Sequence, residues 1–285
     1  MSYRKIFSGS YLFLFILLMA CVSACAPTGI PRAAEGTLLR KIQDRGQLIV
    51  GVRYELPAFG YLNPKTRTLE GFEVAIAHEI ASYIFADANK IDFKEAITKD
   101  RIPFLQSGTV DLVISNFIIT EERLKDVDFS VVYYQTGGKI LVNENSLITS
   151  VGDLAKGKKV ATTKGSAYIT PLQKLTQAEL VLYDTNSEAT EAMIAGKVDA
   201  VSNNDATLLG MTFLYPKTLI VGAYYSTEYF GVGVAKNNPE LLNVVNTVIR
   251  NLKSSGKWKE IWKKEIGDKV GIQTLPDPPL DEWRR

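Results

Sequence analysis

The chain of 285 residues is 46% hydrophobic and 22% charged, with a formal net charge of +2. This composition is typical of a globular protein with one large or two modest domains, and the low charge argues against nucleic-acid binding. The single histidine, His78, argues against multi-histidine metal sites and His-based catalytic triads, so neither a metal nor a cofactor is expected.

The first segment, 1–25, is predicted to be a bacterial lipoprotein signal peptide. After a basic start, the apolar run from Tyr11 to Met19 is too short to span a bilayer comfortably. The sequence Val-Ser-Ala-Cys that ends at Cys25 resembles a lipobox, so Cys25 is expected to be lipidated; Cys21 is a weaker rival site. Ordinary cleavage nearby would instead give a soluble product, but both outcomes imply export. Residues 26–37 are predicted to form a tether.

Strands and helices alternate in the first half of the predicted fold. The strands are Gln47–Arg53, Ile91–Phe93 and Leu112–Ser115, and the helices are Phe72–Ile84 and Arg101–Gln106. Apolar residues recur at every fourth position of the first helix, and Gly108 ends the second. Such alternation is typical of a parallel sheet covered by helices on both faces.

The second half repeats this plan. Its predicted strands are Lys139–Val142, Lys159–Thr162 and Leu180–Tyr183, and its helices are Ser150–Leu154 and Ser187–Ala195. The segment Gly196–Asn204 matches Gly108–Asn116 in the spacing of a glycine, a valine, an aspartate and a closing asparagine. Because each segment lies at the same place in the alternation, we predict two α/β lobes built alike.

A last predicted strand, Tyr229–Ala235, precedes two helices with apolar faces, Leu241–Leu252 and Trp258–Trp262. These helices are assigned to the first lobe, so the chain crosses between lobes near Tyr134–Gly138 and again near Tyr229–Gly233, which together form a hinge. The predicted domains are lobe 1, 38–134 and 230–266; lobe 2, 135–229; and an exposed C-terminal tail, 267–285.

The strongest candidate for a binding residue is Arg123. It follows the buried strand Leu112–Ser115, in a short helix predicted to open at Thr120 as its N-cap. Ligands of open α/β sheets bind at the carboxyl edge of the strands, and a guanidinium there binds carboxylates. The alternative is a solvent-exposed ion pair with Glu121 or Asp126.

The motifs around Arg123 resemble a known family. Phe117–Arg123 with Asp128-Phe-Ser130 and Tyr133-Tyr134 resembles the pattern of family 3 solute-binding proteins, the polar amino-acid receptors of bacterial ABC importers. Gly71-Phe-Glu-Val, Lys164-Gly-Ser and Gly256–Trp262 add to the resemblance, which covers about Leu38 to Gly267. It implies a two-lobed, type II periplasmic-binding-protein fold that closes on a ligand. It also implies a monomer that serves an ABC permease in the inner membrane, lies in the periplasm or at the cell surface, and touches the membrane through its lipid anchor alone.

The resemblance also implies roles for particular residues. Arg123 resembles the arginine that holds the ligand's α-carboxylate, and the backbone at Asn116 and Ile118 would assist it. The turn Lys164–Ala167, with Lys164, Ser166 and Ala167, would assist from the other lobe. Arg53 and Arg101 match positions that reach the distal acid group in receptors for glutamate and aspartate; the alternative for each is solvation or a structural ion pair. The expected ligands are glutamate, aspartate and glutamine, in that order.

Two positions depart from the family pattern. Ile118 stands where the family usually has a threonine hydroxyl, and Asn204 stands where it usually has an aspartate that pairs with the ligand's α-ammonium. Asp205, one residue later, is either a substitute for that aspartate or the N-cap of a helix at Ala206–Met211. Both changes weaken the expectation of an ordinary α-amino acid.

Two further functions stay open. Cyclohexadienyl dehydratases are similar to this family, and such an enzyme would need a cleft acid, for which Glu55, Glu191 and Asp205 are the candidates. A sensory protein that presents its liganded form to a signalling receptor is the other alternative. A receptor without enzymatic activity is the first expectation.

Overall fold

The computed structural model describes residues 29–272 and 274–283. The predicted signal peptide, with the lipidation site Cys25 and its rival Cys21, lies outside the described residues. Within them, each helix is too short or too polar to cross a membrane.

Helices and strands alternate along most of the chain, and the elements are numbered in chain order. The helices are α1 Leu38–Arg45, α2 Phe72–Phe85, α3 Arg101–Ser107, α4 Ile169–Leu175, α5 Asn186–Ile194, α6 Asp205–Leu214, α7 Pro239–Ser254, α8 Lys257–Trp262 and α9 Asp268–Val270. The strands are β1 Leu48–Val52, β2 Glu55–Leu56, β3 Gly60–Leu62, β4 Leu69–Glu70, β5 Ile91–Glu95, β6 Leu112–Val113, β7 Val127–Phe129, β8 Tyr134–Thr136, β9 Gly138–Asn143, β10 Lys159–Thr163, β11 Glu179–Tyr183, β12 Ala200–Asn204, β13 Thr218–Val221, β14 Glu228–Phe230 and β15 Gly233–Ala235. Short 3-10 helices cover Arg123–Lys125 and Val151–Asp153, and a π-helical turn covers Lys263–Gly267.

Two five-stranded sheets with the same pattern organise the fold. The first has the order β5-β1-β6-β15-β7 and the second β11-β10-β12-β9-β13. In each sheet the first three strands are parallel and the last two are antiparallel to their neighbours. A small third sheet has the order β2-β3-β4 and contacts α2. We call the first sheet with α1–α3, α7, α8 and this small sheet lobe 1, and the second sheet with α4–α6 lobe 2. The predicted α/β fold class is confirmed.

The two matching segments, Gly108–Asn116 and Gly196–Asn204, lie at corresponding places in the two lobes. Gly108 and Gly196 both adopt a left-handed backbone, with φ of 71° and 72°, after α3 and α5. Glycine adopts this conformation without the penalty that a Cβ atom imposes, so both helices can turn directly into a strand. Those strands, β6 and β12, occupy the same central position in their sheets.

The two lobes are joined by a small sheet in which β8 pairs antiparallel with β14. The prediction of one strand at Tyr229–Ala235 is wrong, because the segment divides at Gly231. Its first part belongs to this joining sheet and its second part, β15, to the sheet of lobe 1. A Cβ atom at Gly231 would lie 3.0 Å from Ile119 Cδ1, so a side chain there would crowd the crossing.

The apolar faces of three helices cover lobe 1. The predicted stripe on α2 is buried, since Phe72, Ile76, Ile80 and Ile84 are at most 2% exposed. Helices α7 and α8 pack against α2, and the Trp258 indole donates a hydrogen bond to the Tyr133 carbonyl oxygen at 2.8 Å. The residue that precedes β8 is therefore bonded to α8.

The segments at the two ends of lobe 1 are more attached than the sequence indicates. Part of the predicted tether is docked, because Ala33 N donates to Gln43 Oε1 at 2.8 Å and Gln43 Nε2 donates to the Pro31 carbonyl oxygen at 3.0 Å. The tail is also held: Val132 N donates to the Asp281 carbonyl oxygen, and the Asp281 carboxylate accepts from Arg250 Nε at 2.7 Å. Single contacts of this kind leave no periodic pattern in a sequence.

The lobes approach each other closely at Gly210 of α6. A Cβ atom there would lie 2.4 Å from Leu56 Cδ1 and 3.2 Å from the Pro57 carbonyl oxygen of lobe 1. Leu56 is fully buried, so it has little room to move away. The close approach of the lobes therefore requires glycine at this position.

We predict that Gly210→Ala holds the lobes apart while α6 itself becomes more stable, since alanine is favoured over glycine in a helix by about 0.5–1 kcal/mol. Small-angle X-ray scattering should show a larger radius of gyration. Gly152→Ala is the matched control, because the nearest atom to its Cβ is Ser150 Oγ at 3.5 Å. An unchanged radius of gyration in Gly210→Ala would contradict the prediction.

Candidate functional site

A polar cavity lies between the lobes, at the carboxyl ends of β1, β6, β10 and β12. This is the edge where open α/β sheets bind ligands. Its lining comes from both lobes: Arg53, Thr98, Arg101, Asn116, Ile118, Arg123, Thr163, Ser166, Ala167, Tyr168, Asn203, Asn204 and Thr207. The cavity measures about 10 Å³, room for about one water molecule. An amino acid can therefore enter only when the lobes separate.

Arg123 is one of the three arginines that line this cavity. Its backbone N–H donates to Thr120 Oγ1 at 3.2 Å. The helix here is a 3-10 helix that begins at Arg123 with Glu122 as its N-cap, so the prediction of an N-cap at Thr120 is wrong. The guanidinium donates to the Ile118 carbonyl oxygen at 2.7 Å and, across the cleft, to the Gly165 carbonyl oxygen at 2.9 Å. Burial lowers the pKa of Arg123 to about 10. The alternative of a solvent-exposed ion pair does not hold, since the side chain is only 8% exposed.

Arg101, the first residue of α3, is buried beside it. Its Nη1 donates to the Asn116 carbonyl oxygen at 3.4 Å, and its Nε has no hydrogen-bond partner. Burial, together with the charges of Arg53 and Arg123, lowers the pKa of Arg101 well below its ordinary value. Within residues 29–272 and 274–283, neither Arg101 nor Arg123 forms a salt bridge, so both guanidinium groups are buried cations without a paired anion.

Arg53 differs because this chain supplies its carboxylate. Its Nη1 pairs with Glu55 Oε1 at 3.1 Å, and its Nη2 donates to Thr98 Oγ1 at 2.7 Å. The Thr98 hydroxyl lies 3.1 Å from Thr163 Oγ1 of lobe 2. The predicted alternative of a structural ion pair is therefore what the structure shows for Arg53, which still lines the cavity.

Glu73, in the first turn of α2, lies beneath the site and was missed by the sequence analysis. It is fully buried and accepts hydrogen bonds from the backbone N–H of Asn116 at 2.6 Å and from the Tyr133 hydroxyl. Burial raises the pKa of Glu73 above its ordinary value, against the effect of these bonds and of Arg101. Asn116 itself has a left-handed backbone, with φ of 47°. An acidic residue opening an otherwise apolar helix face was the signal available in the sequence.

The residues predicted from lobe 2 divide into two groups. Ser166, Ala167 and Asn204 line the cavity. Lys164 does not: its ammonium pairs with Asp184 at 3.0 Å, and half of its side chain is exposed. The turn that carries it directs Ser166 inward and Lys164 outward.

Asp205 does not line the cavity either. Strand β12 continues through Asn204, whose side-chain oxygen accepts the Thr207 amide at 2.7 Å and caps α6, so Asp205 is neither the N-cap nor a substitute for the family aspartate. The Asp205 carboxylate turns toward the hinge, where it accepts hydrogen bonds from the hydroxyls of Thr136 and Tyr224.

None of the acids proposed for a dehydratase lines the cavity. Glu191 accepts a hydrogen bond from the Tyr215 hydroxyl at 2.9 Å on lobe 2. Burial raises the pKa of Glu55, but the Arg53 charge and hydrogen bonds from Ser187 and Asn186 outweigh it and hold this pKa below its ordinary value. A general acid requires the opposite shift. The described residues contain no cluster of His, Cys, Asp and Glu suited to a metal ion.

The chain is similar to known proteins in sequence and in fold. Residues 48–268 match the bacterial extracellular solute-binding proteins, family 3. The chain is 36% identical over 266 residues to the ABC transporter glutamine-binding protein GlnH of Bacillus subtilis, covering 92% of this chain and 97% of the relative. It is 41% identical over 227 residues to a glutamine-binding protein of Geobacillus stearothermophilus, covering 77% and 87%. The crystal structure of an L-cysteine solute receptor of Neisseria gonorrhoeae superimposes with a TM-score of 0.77 at 27% identity, covering 84% of this chain and 99% of that one.

The raised pKa of Glu73 predicts how this residue affects stability. The folded state holds the Glu73 proton more tightly than the unfolded state, so ionisation costs stability as pH rises above the ordinary glutamate value of about 4.3. In urea denaturation, the free energy of unfolding of Glu73→Gln minus that of the unchanged protein should therefore increase with pH. A difference that falls with pH would mean that Glu73 is ionised more readily in the folded state, as a counter-ion of Arg101.

Proposed function

The chain belongs to the bacterial extracellular solute-binding proteins, family 3, and from this premise we propose that it captures an acidic amino acid, L-glutamate first, for an ABC importer. The observation that carries the proposal is the pair of buried guanidinium groups, Arg101 and Arg123, without a salt bridge in the described chain. A cation buried without a counter-ion is costly, and two of them match the two carboxylates of glutamate or aspartate.

Arg123 is proposed to hold the α-carboxylate. Its guanidinium already donates to two carbonyl oxygens, one from each lobe, and a bidentate carboxylate can replace them with charge-assisted bonds. Arg101 then binds the distal carboxylate, since Arg53 is neutralised by Glu55. Each charge-assisted bond contributes about 1.5–3 kcal/mol, so two or three supply much of the −8 kcal/mol or so of micromolar binding.

The lining also favours a ligand with a net negative charge. It contains three arginines and no carboxylate. Asn204 stands where the family resemblance implies an aspartate for the ammonium group. Neutral oxygens, such as the hydroxyls of Thr98 and Ser166, are left to accept from an ammonium. Glutamate brings one negative charge more than glutamine, so the lining compensates glutamate better.

Glutamine is the second candidate. The two curated relatives compared above are named as glutamine-binding proteins, and they share 36% and 41% of their residues with this chain over the aligned lengths. Glutamine would use Arg123 in the same way and leave Arg101 without a carboxylate. The two ligands therefore differ in the group next to Arg101: the distal carboxylate of glutamate or the side-chain amide of glutamine.

The proposed setting follows the family. We place the protein outside the cytoplasm, anchored to a membrane through a lipid on Cys25, as a monomer that hands its ligand to a permease in the inner membrane. Because none of Glu55, Glu191 and Asp205 lines the cavity, we propose binding without catalysis. A signalling receptor as partner, in place of a permease, would be supported if permease and ATPase genes were absent from the neighbourhood of this gene.

The proposal predicts that L-glutamate binds more tightly than L-glutamine in calorimetric titration and that Arg123→Met removes measurable binding of both. Arg250→Met is the matched control. This exposed arginine of α7 pairs with Asp281 of the C-terminal segment and does not line the cavity. No heat and no thermal stabilisation by either amino acid at millimolar concentration would contradict the proposed ligand class. Tighter binding of glutamine would favour the second candidate.

The absence of a carboxylate from the cavity lining predicts that a substitution at Asn204 changes ligand selectivity. Asn204→Asp adds a counter-charge for the ammonium group and keeps the helix cap, because asparagine and aspartate cap helices equally well. The ratio of the glutamine Kd to the glutamate Kd should fall by about tenfold, the effect of roughly 1.4 kcal/mol. A ratio that stays constant would show that residue 204 does not contribute to the recognition of ligand charge.

A further inference from the structure

Glu55 of lobe 1 reaches across the cleft to the first residues of α5 in lobe 2. Its Oε1 accepts hydrogen bonds from Asn186 N at 3.1 Å and Asn186 Nδ2 at 3.0 Å. Its Oε2 accepts from Ser187 N at 3.2 Å and Ser187 Oγ at 2.8 Å. Both oxygens of one carboxylate are therefore used to hold the other lobe.

These contacts complete the cap of α5. The first N–H groups of a helix have no partner within the helix, and a negative charge at that end is favourable. Within lobe 2, the capping box of Thr185 and Glu188 satisfies the Glu188 amide. The amides of Asn186 and Ser187 are left for Glu55, so lobe 1 completes the cap that lobe 2 begins.

The same carboxylate links the cap to the ligand site. Glu55 Oε1 also accepts from Arg53 Nη1, and Asn203 Nδ2 donates to Asn186 Oδ1 at 2.8 Å. Arg53 and Asn203 both line the cavity, one from each lobe. A continuous chain of bonds thus runs from one wall of the site, through Glu55 and α5, to the other wall.

Burial distinguishes this contact from the Lys99–Asp184 ion pair, which also crosses the cleft. Glu55 is 14% exposed and Asn186 is 1% exposed. In contrast, the Lys99–Asp184 pair is 43% and 37% exposed, and exposed ion pairs contribute little to stability. Separation of the lobes would open the Glu55 contact to water, so it stabilises the closed arrangement alone.

We propose that Glu55 is an interlobe latch: it sets the balance between open and closed lobes, and through it the affinity for ligand, without contacting the ligand. Glu55 is in this sense a positioning residue of the binding site. The consequence for affinity rests on the proposed amino-acid binding, whereas the consequence for the lobes does not.

The first experiment needs no ligand. Amide hydrogen exchange, followed by NMR, compares Glu55→Gln with the unchanged protein. The amides of Asn186 and Ser187 should exchange faster by about tenfold in the variant, in the range of typical couplings. The Glu188 amide, held by Thr185 within lobe 2, is the internal control and should keep its rate. Equal rates at Asn186 and Ser187 in both proteins would overturn the latch, whether or not any amino acid binds.

The second experiment measures glutamate binding and its dissociation rate. Glu55→Gln should weaken binding by about tenfold, mainly through faster dissociation, and Ser187→Ala, on the opposite lobe, should act in the same direction with a smaller effect. The double variant should lose less than the sum of the two, because both changes break one contact. Lys99→Met is the matched control and should change the Kd by less than about threefold. Additive effects of Glu55→Gln and Ser187→Ala would overturn the latch, since Glu55 would then act only through Arg53.

Discussion

The structure depends on two buried guanidinium groups at the junction of the lobes. Arg123 bonds to a carbonyl oxygen of each lobe, and Arg101 leaves its Nε without a partner. The desolvation of a cation is costly unless an anion or a full set of acceptors compensates it. Here the protein supplies a carboxylate in salt-bridge contact with Arg53 but, among the described residues, none in such contact with the other two. The nearby Glu73 interacts with Arg101 at longer range, and burial favours the protonated form of Glu73. In the proposed function, a small organic anion held between the lobes compensates these two cations.

The joining sheet and the Glu55 latch determine how the lobes that carry these arginines separate and close. Strands β8 and β14 are the crossings that join the lobes, so a rotation there separates the walls of the cavity. The closed walls are held by Arg123 with Gly165, by Thr98 with Thr163, and by Glu55 with α5. These contacts involve backbone and side-chain groups of the protein itself, so the closed arrangement is partly prepared before a ligand adds its own bonds. A ligand then needs to supply only the remaining difference between the two states.

The strand and helix order of the fold was predictable because it follows from periodic patterns of apolar residues and from glycines at helix ends. The apolar stripe of α2, the glycines after α3 and α5, and the repeated strand–helix order all survive in the structure. Among the site residues that line the cavity, Arg123 was placed by its position after a strand, whereas Arg53, Arg101 and Asn116 were placed by the family resemblance. Asp205 and Lys164 were not, because a turn of one residue decides which side chain faces inward. Glu73 and the contacts of Glu55 with α5 join residues far apart in the chain, and no local pattern signals such pairs.

The most direct measurement is a crystal structure of the protein with L-glutamate. The account predicts the α-carboxylate in bidentate contact with Arg123, at about 2.7–2.9 Å, and the distal carboxylate within hydrogen-bond distance of Arg101. Arg53 should keep its pair with Glu55 in the same crystal. A ligand bound elsewhere, or an Arg123 that still donates to Ile118 and Gly165 with no ligand oxygen beside it, would contradict the account.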